Sequence, residues 1–497
     1  MTVYNFNLAL GWASSGVEYA QAYRENALRQ LKIDTKFVFA ELILNGNIFD
    51  MADQMGMSID NILPVHFFFT NLKPSKSVYT IAHFEKDINV AHFDKKILSN
   101  VVMYENEGIV IRVGLDHTHS NVDFIDYVIN GYLIRKDHYT YTKTFSEYYV
   151  PVDNKAELYR RTFYNEDGSS AYDQFIEQNS VSYKIGKTIL YSEFEFMAYF
   201  INQLELTKKD ILIIDREQYI APAVLNNKKE AKVGVVIHAE HYSSNQTNEH
   251  HAVWNNFYEY QFTNANAIDF FITATKKQKQ LLEKQFQQYK GIKPKIYAIP
   301  VGDLDKLRGK RHRRVENQLM TASRLAVEKH VDWIVKATVK IHEDISSIKL
   351  DIYGTGGEMV IIQKLIEDNQ ASSYIKIKGH QDLTDIYKSY YGYVSASQSE
   401  GFGLTLMEAV GSGLPIIGYD VPYGNQEFVD EGVNGFLVPF NAKSDKNIDA
   451  LTAGIRKLVN LENHSAFKNA SYKKAEVFLE KNTMLLWQNL VEEVIND

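Results

Sequence analysis

The amino-acid sequence predicts an α/β protein built from two Rossmann-like domains, with an antiparallel β-sheet domain inserted into the first. Apolar strands alternate with amphipathic helices near the N-terminus and again through the C-terminal half, which is typical of parallel sheets covered by helices. From about residue 66 to 191, aromatic and β-branched residues instead alternate with polar ones, for example at 77–81, 108–113 and 181–185. A length of 497 residues also exceeds what one hydrophobic core organises.

The order of these elements sets the predicted domain boundaries. A strand at 4–10, a turn of small residues at 11–16 and a helix at 17–31 open a βαβ unit, and the α/β pattern resumes with a helix at 194–204. We therefore predict a first Rossmann-like domain at 1–45 and 194–304, an inserted sheet at 46–193, a second Rossmann-like domain at 305–475 and a last helical segment at 476–497.

Composition excludes several classes of protein. A net charge of −8 argues against a nucleic-acid binder, so we expect no nucleic-acid partner. Without cysteine, the chain has neither disulfides nor a thiolate metal site. No apolar run reaches membrane-spanning length, and the first basic residue is Arg24, so the positive region of a signal peptide is missing. We expect a cytoplasmic protein and leave a peripheral association with the cytoplasmic face of the membrane open.

The most informative segment, 397–409, places Glu400 and Glu408 eight residues apart with glycines between them. Glu400 is expected in a loop at the carboxyl end of a strand, where α/β sheets bind ligands, and Glu408 about two turns into the next helix. Glycine lets a ligand approach the backbone, helix-start amides donate to phosphate, and a carboxylate accepts two hydroxyls of a ribose. A plain glycine-rich turn is the alternative, which the strand–loop–helix context and the segment 411–415 disfavour.

Glu400 and Glu408 resemble the E-x7-E motif of retaining glycosyltransferases with the GT-B fold, the large family that includes glycogen and sucrose-phosphate synthases. The resemblance covers roughly residues 310–475 well and the N-terminal half more loosely. It implies that Glu400 faces the transferred sugar and Glu408 the ribose. It also implies that the first domain is the acceptor side and that the last helix returns to it. Further substrate-binding positions implied by the resemblance are Gly379, His380, Phe402, Gly403, Leu404 and Thr405.

Two cations follow the first strand of the second domain. Arg324 and Lys329, within the segment 321–330, resemble the diphosphate clamp of the same family. Two positive charges there would neutralise a nucleotide diphosphate and stabilise the departing UDP. A solvated helix start is the alternative.

Two positions in the N-terminal half are further candidates. Gly16 would bring backbone amides at the start of the Val17 helix close to the diphosphate, although a plain turn also explains it. His238 ends the apolar strand 233–237, where the family often places a histidine beside the transferred sugar. A structural histidine is the alternative there.

We predict no metal and no other cofactor. Asp303 and Asp305 are spaced like the metal-binding pair of the other main glycosyltransferase fold, but the clamp already serves the diphosphate. His250 and His251 add no recognisable ligand geometry. The basic segment 306–314 is predicted to be a solvated linker, with contact to an acidic partner or an anionic surface as the alternative.

Four segments narrow the resemblance to the catalytic A subunits of accessory-Sec glycosyltransferases, over nearly the whole chain. The resemblance implies retaining transfer of N-acetylglucosamine from UDP-N-acetylglucosamine to Ser or Thr of a serine-rich repeat adhesin, the first step of its O-glycosylation. It also implies a non-catalytic B subunit of the same fold as partner. The alternatives are UDP-glucose as donor, a wall teichoic acid glycosyltransferase, and a non-catalytic acceptor-binding subunit. The four segments are 7–24, 161–168, 236–243 and 420–426.

Overall fold

The computed structural model describes residues 1–12, 16–178, 180–215 and 219–496. They form two compact units: one contains 1–235 and 260–269, and the other contains 236–259 and 270–496. The strands are β1 (Val3–Asn7), β2 (Thr35–Phe39), β3 (Ile62–Pro64), β4 (Asp94–Ile97), β5 (Val101–Asn106), β6 (Ile109–Leu115), β7 (Val122–Ile129), β8 (Tyr132–Tyr139), β9 (Lys143–Val152), β10 (Lys155–Tyr164), β11 (Ser170–Glu177), β12 (Ser180–Ile185), β13 (Thr188–Leu190), β14 (Ile211–Ile214), β15 (Lys232–Ile237), β16 (Phe270–Thr273), β17 (Ile296–Ala298), β18 (Gln318–Ala322), β19 (Lys349–Tyr353), β20 (Ile375–Gly379), β21 (Gly392–Val394), β22 (Ile416–Tyr419) and β23 (Gly435–Val438). The helices are α1 (Gly16–Gln30), α2 (Ile48–Gln54), α3 (Val65–Phe68), α4 (Ile81–Asp87), α5 (Glu193–Gln203), α6 (Ile220–Asn227), α7 (Glu259–Thr263), α8 (Lys276–Lys290), α9 (Val331–His342), α10 (Met359–Asp368), α11 (Leu404–Gly411), α12 (Gly424–Phe428), α13 (Ser444–Val459), α14 (His464–Ala475) and α15 (Glu480–Asn496).

In the first unit, β15, β14, β1, β2 and β3 lie side by side in that order and are all parallel. Every residue of β14 is buried, which explains its continuous apolar run. Arg24 of α1 makes two hydrogen bonds of 2.7 and 2.9 Å to the Asp215 carboxylate at the end of β14, and a third to Asn5 of β1. This buried ion pair fixes the first helix against the sheet.

The inserted sheet has ten antiparallel strands, β4 to β13, each paired with its neighbour in the chain. One face packs on α5: the Tyr183 and Phe196 rings stack at 4.1 Å, and the Phe163 ring stacks on Tyr172 at 4.4 Å. The predicted antiparallel sheet is confirmed. The strand predicted at 77–81 is wrong, because the side chain of Thr80 accepts from the backbone N–H of His83 and caps α4 instead.

The second unit contains a six-stranded parallel sheet in the order β20-β19-β18-β21-β22-β23. It also contains β16 and β17, which pair in parallel and belong to the same sheet as β15. The strand order reverses between β18 and β21, so their carboxyl ends form the crevice where such sheets bind ligands. The predicted α/β fold is thus confirmed, and this crossing point positions the candidate site.

The segment that leads into this sheet is held against it by backbone and side-chain bonds. Leu304 pairs with Leu479, and the N–H of Leu304 donates to the carbonyl of Phe478 at 2.9 Å. The half-buried guanidinium of Arg314 donates to the carbonyls of Tyr390 and Ser412. A fully solvated basic linker is therefore wrong for Arg314, and also for Arg308, which is 18% exposed and pairs with Asp305. Four other basic residues of the segment are exposed: Lys306, Lys310, Arg311 and Arg313.

Within the described residues, no helix combines the length and the apolar character needed to cross a membrane.

Candidate active site

The loops after β18 and β21 meet because these two strands are neighbours, with Leu319 opposite Gly392. Tyr393 of β21 is buried, and its hydroxyl donates to the carbonyl of Ala322 at 2.8 Å. The same hydroxyl lies 3.0 Å from Oγ1 of Thr405 in the first turn of α11. One side chain therefore ties the end of β18 to the helix start that was predicted to bind the donor.

Lys329 and Glu400 lie together at this crossing point. The Lys329 Nζ is 2.7 Å from Oε2 of Glu400, and the two side chains are only 17% and 20% exposed. The backbone carbonyl of Glu400 accepts from the N–H groups of Tyr423 and Gly424, at 2.9 and 2.7 Å. The structure thus brings the predicted clamp lysine and the predicted sugar-side carboxylate into one charge-assisted contact.

Arg324 lies on the same loop as Lys329 but faces outward. Its side chain is 69% exposed and pairs with Glu328 at 3.3 Å. A β-carbon on Gly354 would collide with the carbonyl oxygen of Ser323, so the glycine turn after β19 packs directly beneath this loop. Glycine is required there to hold the clamp loop in place.

Glu408 lies on α11, one helix turn before its end. The hydroxyl of the buried Tyr387 donates to Oε2 of Glu408 at 2.8 Å. Burial raises the pKa of Glu408, while the Tyr387 bond and the charge of Arg308 act in the opposite direction. The carboxylate is therefore oriented and weakly solvated, as a ribose-binding group needs to be.

The glycines between the two glutamates allow close backbone packing. A β-carbon on Gly401 would lie 2.7 Å from the carbonyl oxygen of His238, so the Glu400 loop adjoins the end of β15. Gly403 has a φ of 92° and precedes α11, with Leu404 as the first helical residue. The structure brings His238 next to the loop, while its contact with a sugar stays a prediction.

Phe402 lies between the two glutamates, with its side chain in the hydrophobic core. Its ring is buried and packs edge-on against Phe428, with ring centres 5.0 Å apart. The predicted contact of Phe402 with the substrate stays a prediction.

Gly379 and His380, two of the predicted substrate-binding positions, lie next to the glycine turn that follows β19. Gly379 ends β20 with a φ of 72°, and its carbonyl accepts from the N–H of Gly354 at 2.8 Å. His380 follows with an exposed side chain. Gly16 lies in the other unit, where it begins α1, and its predicted contact with the diphosphate stays a prediction. Ser14 and Ser15 before it lie outside the described residues.

Asp303 and Asp305, the two carboxylates considered as metal ligands, are respectively buried and paired with an arginine. Asp305 makes contacts of 2.5 and 2.9 Å with the Arg308 guanidinium. Asp303 is buried, and burial followed by the charges of Glu480 and Asp305 raises its pKa to about 7. Among the residues that the structure describes, no group of three or more His, Asp or Glu side chains is arranged to hold a metal ion.

Sequence reasoning missed three tyrosines that hold the site together: Tyr387, Tyr393 and Tyr423. All are buried, and each places a hydroxyl or backbone N–H against a predicted site residue. A buried tyrosine needs a hydrogen-bond partner for its hydroxyl. Tyr393, in the strand segment 390–394 next to the Glu400 motif, could therefore have been predicted to contact the site.

Comparisons with known proteins agree with this geometry. Residues 305–474 match the family model of group 1 glycosyl transferases, and residues 92–187 match that of the GtfA extended beta-sheet domain. The fold and the site define a glycosyltransferase with the GT-B fold. The chain is 43% identical, over 100% of both chains, to the GtfA subunit of UDP-N-acetylglucosamine–peptide N-acetylglucosaminyltransferase from Streptococcus pneumoniae serotype 4. It belongs to the family of these GtfA subunits.

Two solved structures support the same assignment. The pneumococcal O-GlcNAc transferase GtfA in complex with UDP and GlcNAc superposes with a TM-score of 0.93 at 42% identity, covering 100% of this chain and 99% of that one. A chain of a GtfA/B complex superposes with a TM-score of 0.95 at 43% identity, with 100% of both chains covered. The resemblance to A subunits is therefore confirmed.

Proposed function

We propose that this chain transfers N-acetylglucosamine from UDP-N-acetylglucosamine to Ser or Thr hydroxyls of a serine-rich repeat adhesin, with retention of the donor configuration, as the first step of adhesin O-glycosylation. The observation that carries the proposal is the contact of Lys329 with Glu400 at the strand crossing point, with Glu408 on the helix that follows. The full-length relatives, which are peptide N-acetylglucosaminyltransferases by name, support it.

Each charged group has a role in the proposed reaction. Arg324 and Lys329 stabilise the negative charge that develops on the departing UDP, which replaces a metal ion in this role. Glu408 accepts the ribose hydroxyls, and Glu400 holds the hydroxyls of the transferred sugar. The ammonium of Lys329 contacts the Glu400 carboxylate, so a diphosphate that binds Lys329 places the transferred sugar close to Glu400.

Retention of configuration follows from attack on the face that UDP leaves. The acceptor hydroxyl oxygen forms a bond to the anomeric carbon while the bond from that carbon to the phosphate oxygen breaks. An oxygen of the departing phosphate takes the hydroxyl proton, so the enzyme needs no carboxylate nucleophile. Glu400 is already engaged by Lys329 and serves to position the sugar rather than to attack carbon.

The alternatives are less well supported. A non-catalytic acceptor-binding subunit does not need Arg324, Lys329, Glu400 and Glu408 together. A teichoic acid acceptor fits less well than a polypeptide because relatives that match the whole chain at 43% identity are peptide transferases by name. UDP-glucose remains the alternative donor.

We further propose a cytoplasmic enzyme that works with a non-catalytic B subunit. The inserted sheet is the proposed contact surface for that subunit or for the extended acceptor. All four residues of its edge strand β4 are exposed, and an open edge can pair with another strand. The GtfA/B complex of a relative supports a partner of this kind.

The test compares the purified chain alone and with a B subunit, using UDP-N-acetylglucosamine, UDP-glucose and UDP-N-acetylgalactosamine with a Ser/Thr-rich peptide. We expect UDP release with UDP-N-acetylglucosamine, and a peptide that gains one α-linked N-acetylhexosamine by mass spectrometry and NMR. A clear preference for UDP-glucose, a β-linked product, or no peptide product with the B subunit would contradict the proposal.

A further inference from the structure

His241 is a buried histidine that none of the proposed catalytic steps uses. Its ring is fully buried, and Nε2 lies 2.6 Å from Oε1 of Gln285 on α8. An amide oxygen only accepts hydrogen bonds, so Nε2 carries the proton and Nδ1 is an acceptor. Burial lowers the pKa of His241 to about 4, so the ring is neutral near pH 7.

The acceptor nitrogen of this ring faces Tyr423. Nδ1 of His241 lies 3.3 Å from the Tyr423 hydroxyl, a donor that suits this tautomer, and 3.5 Å from the amide nitrogen of Gln278. The Tyr423 side chain is also buried, and its ring lies within 25° of the imidazole plane. On the other side, Gln278 donates to the carbonyl of Ala239 at 2.8 Å and holds the histidine segment against α8.

Tyr423 in turn supports Glu400 through the backbone. Its N–H donates to the carbonyl of Glu400 at 2.9 Å, and the next residue, Gly424, donates to the same oxygen at 2.7 Å. A β-carbon on Gly424 would collide with the carbonyl of Phe402 and lie 3.0 Å from Cγ of Glu400. The turn at 423–424 is therefore pressed against the Glu400 loop, and a shift of Tyr423 displaces Glu400.

We propose that His241 is a positioning residue, which fixes Tyr423 through its hydroxyl and thereby aims the Glu400 carboxylate at the hydroxyls of the donor sugar. The inference deepens the proposed function and rests on it. The neutral ring acts by geometry, through its contacts with Gln285 and Tyr423, and the proposed reaction assigns it no proton transfer. We expect loss of His241 to disturb the binding of the transferred sugar and not that of the ribose, because the Tyr387–Glu408 pair proposed for the ribose lies on other elements.

The first test is Tyr423→Phe, which removes the hydroxyl and keeps both the ring and the backbone N–H. We expect kcat for UDP release and for transfer to fall roughly 10-fold, with KM for UDP-N-acetylglucosamine and Kd for UDP changed less than about twofold. The matched control is Tyr419→Phe, which removes an equally buried hydroxyl bonded to the carbonyl of Asn447 at 3.0 Å. Its kcat should stay normal.

A second pair of variants separates positioning from stability. His241→Asn keeps an acceptor near the position of Nδ1, whereas His241→Gln keeps an amide near that of Nε2. Each loses one hydrogen bond, so we expect similar losses in Tm but a higher kcat for the Asn variant. A normal kcat in Tyr423→Phe, or kcat values that simply follow Tm across all variants, would overturn this inference but leave the proposed function intact. A wild-type chain inactive with every donor would overturn the proposed function and this inference with it.

Discussion

Lys329 contacts the Glu400 carboxylate, so its removal affects both catalysis and local structure. The Lys329 side chain is only 17% exposed and lies 2.7 Å from the Glu400 carboxylate, so the alternative of a solvated helix start does not fit it. Lys329→Ala should lower kcat by roughly 10² because charge stabilisation of departing UDP is lost, and it should cost about 1 kcal/mol of stability or slightly more. Steady-state UDP release measures the first effect. The control is Lys336→Ala, which breaks a half-exposed pair with Asp332 and should leave kcat unchanged. Near-normal turnover without Lys329 would refute the clamp.

Asp303 gives a prediction for stability against pH. One carboxylate oxygen of Asp303 is buried without a hydrogen-bond partner, and the pKa is raised to about 7. The folded state therefore keeps a proton that the unfolded state releases, so stability falls as pH rises from about 4 to 7. Asp303→Asn should stabilise the protein by roughly 1–3 kcal/mol at pH 8 and much less at pH 5, measured by thermal unfolding. Asp305→Asn, which breaks the Arg308 pair, should not stabilise at either pH. A pH-independent effect at Asp303 would contradict the argument.

The glycine turn after β19 supports the loop that carries Arg324 and Lys329. Two glycines of this turn differ in the space around them, so one serves as a control for the other. Gly354 has a φ of 122° and no room for a β-carbon beneath Ser323, whereas Gly357 in the same turn has no heavy atom within 4 Å of such a carbon. Gly354→Ala should cost roughly 2–4 kcal/mol and weaken UDP binding, while Gly357→Ala should do neither. Urea unfolding and UDP titration measure both. Equal effects of the two substitutions would show that the turn does not hold the clamp.

The elements differ in how far the sequence predicted them. Apolar strands such as 211–214 were recognisable because burial on both faces demands a continuous apolar run. The segment 77–81 was not, because its alternation also suits a chain that buries Tyr79 and then caps a helix with Thr80. The Glu400 motif was visible as a local pattern. Tyr423 and His241 were not, because their contact joins residues that are 182 positions apart in the sequence.

At the scale of the whole molecule, the charges of the site predict independence from metal ions. The proposed diphosphate site has Arg324 and Lys329, and the carboxylates at Asp303 and Asp305 are respectively buried and paired with Arg308. EDTA should therefore leave transfer activity within about twofold of the untreated enzyme. Activity that collapses with the chelator and returns with Mn²⁺ or Mg²⁺ would show that a metal takes part.

The inserted sheet packs on α5, and this contact limits how the role of the sheet can be tested. Deleting residues 94–190 should spare UDP binding but abolish peptide transfer and co-purification with the B subunit. The deletion also uncovers Phe196 on α5, whose ring packs on Tyr183, so a second variant that keeps the fold is needed.

Substitutions at the edge strand β4 give such a variant. Ile97 is 73% exposed at the open edge, next to the exposed Leu98. Ile97→Asp with Leu98→Asp adds charge to the edge without touching the core, so stability and UDP release should stay normal. If the partner or the acceptor pairs with this edge, the charges oppose its desolvation, and peptide transfer should fall at least about 10-fold. The control, Ile189→Asp, charges an exposed position on β13 at the opposite edge of the same sheet. Equal losses in the β4 variant and in the control would show that the added charge, and not the β4 edge, causes the effect. If both the β4 variant and a folded deletion keep normal peptide transfer and still form the complex, the inserted sheet binds neither the acceptor nor the partner.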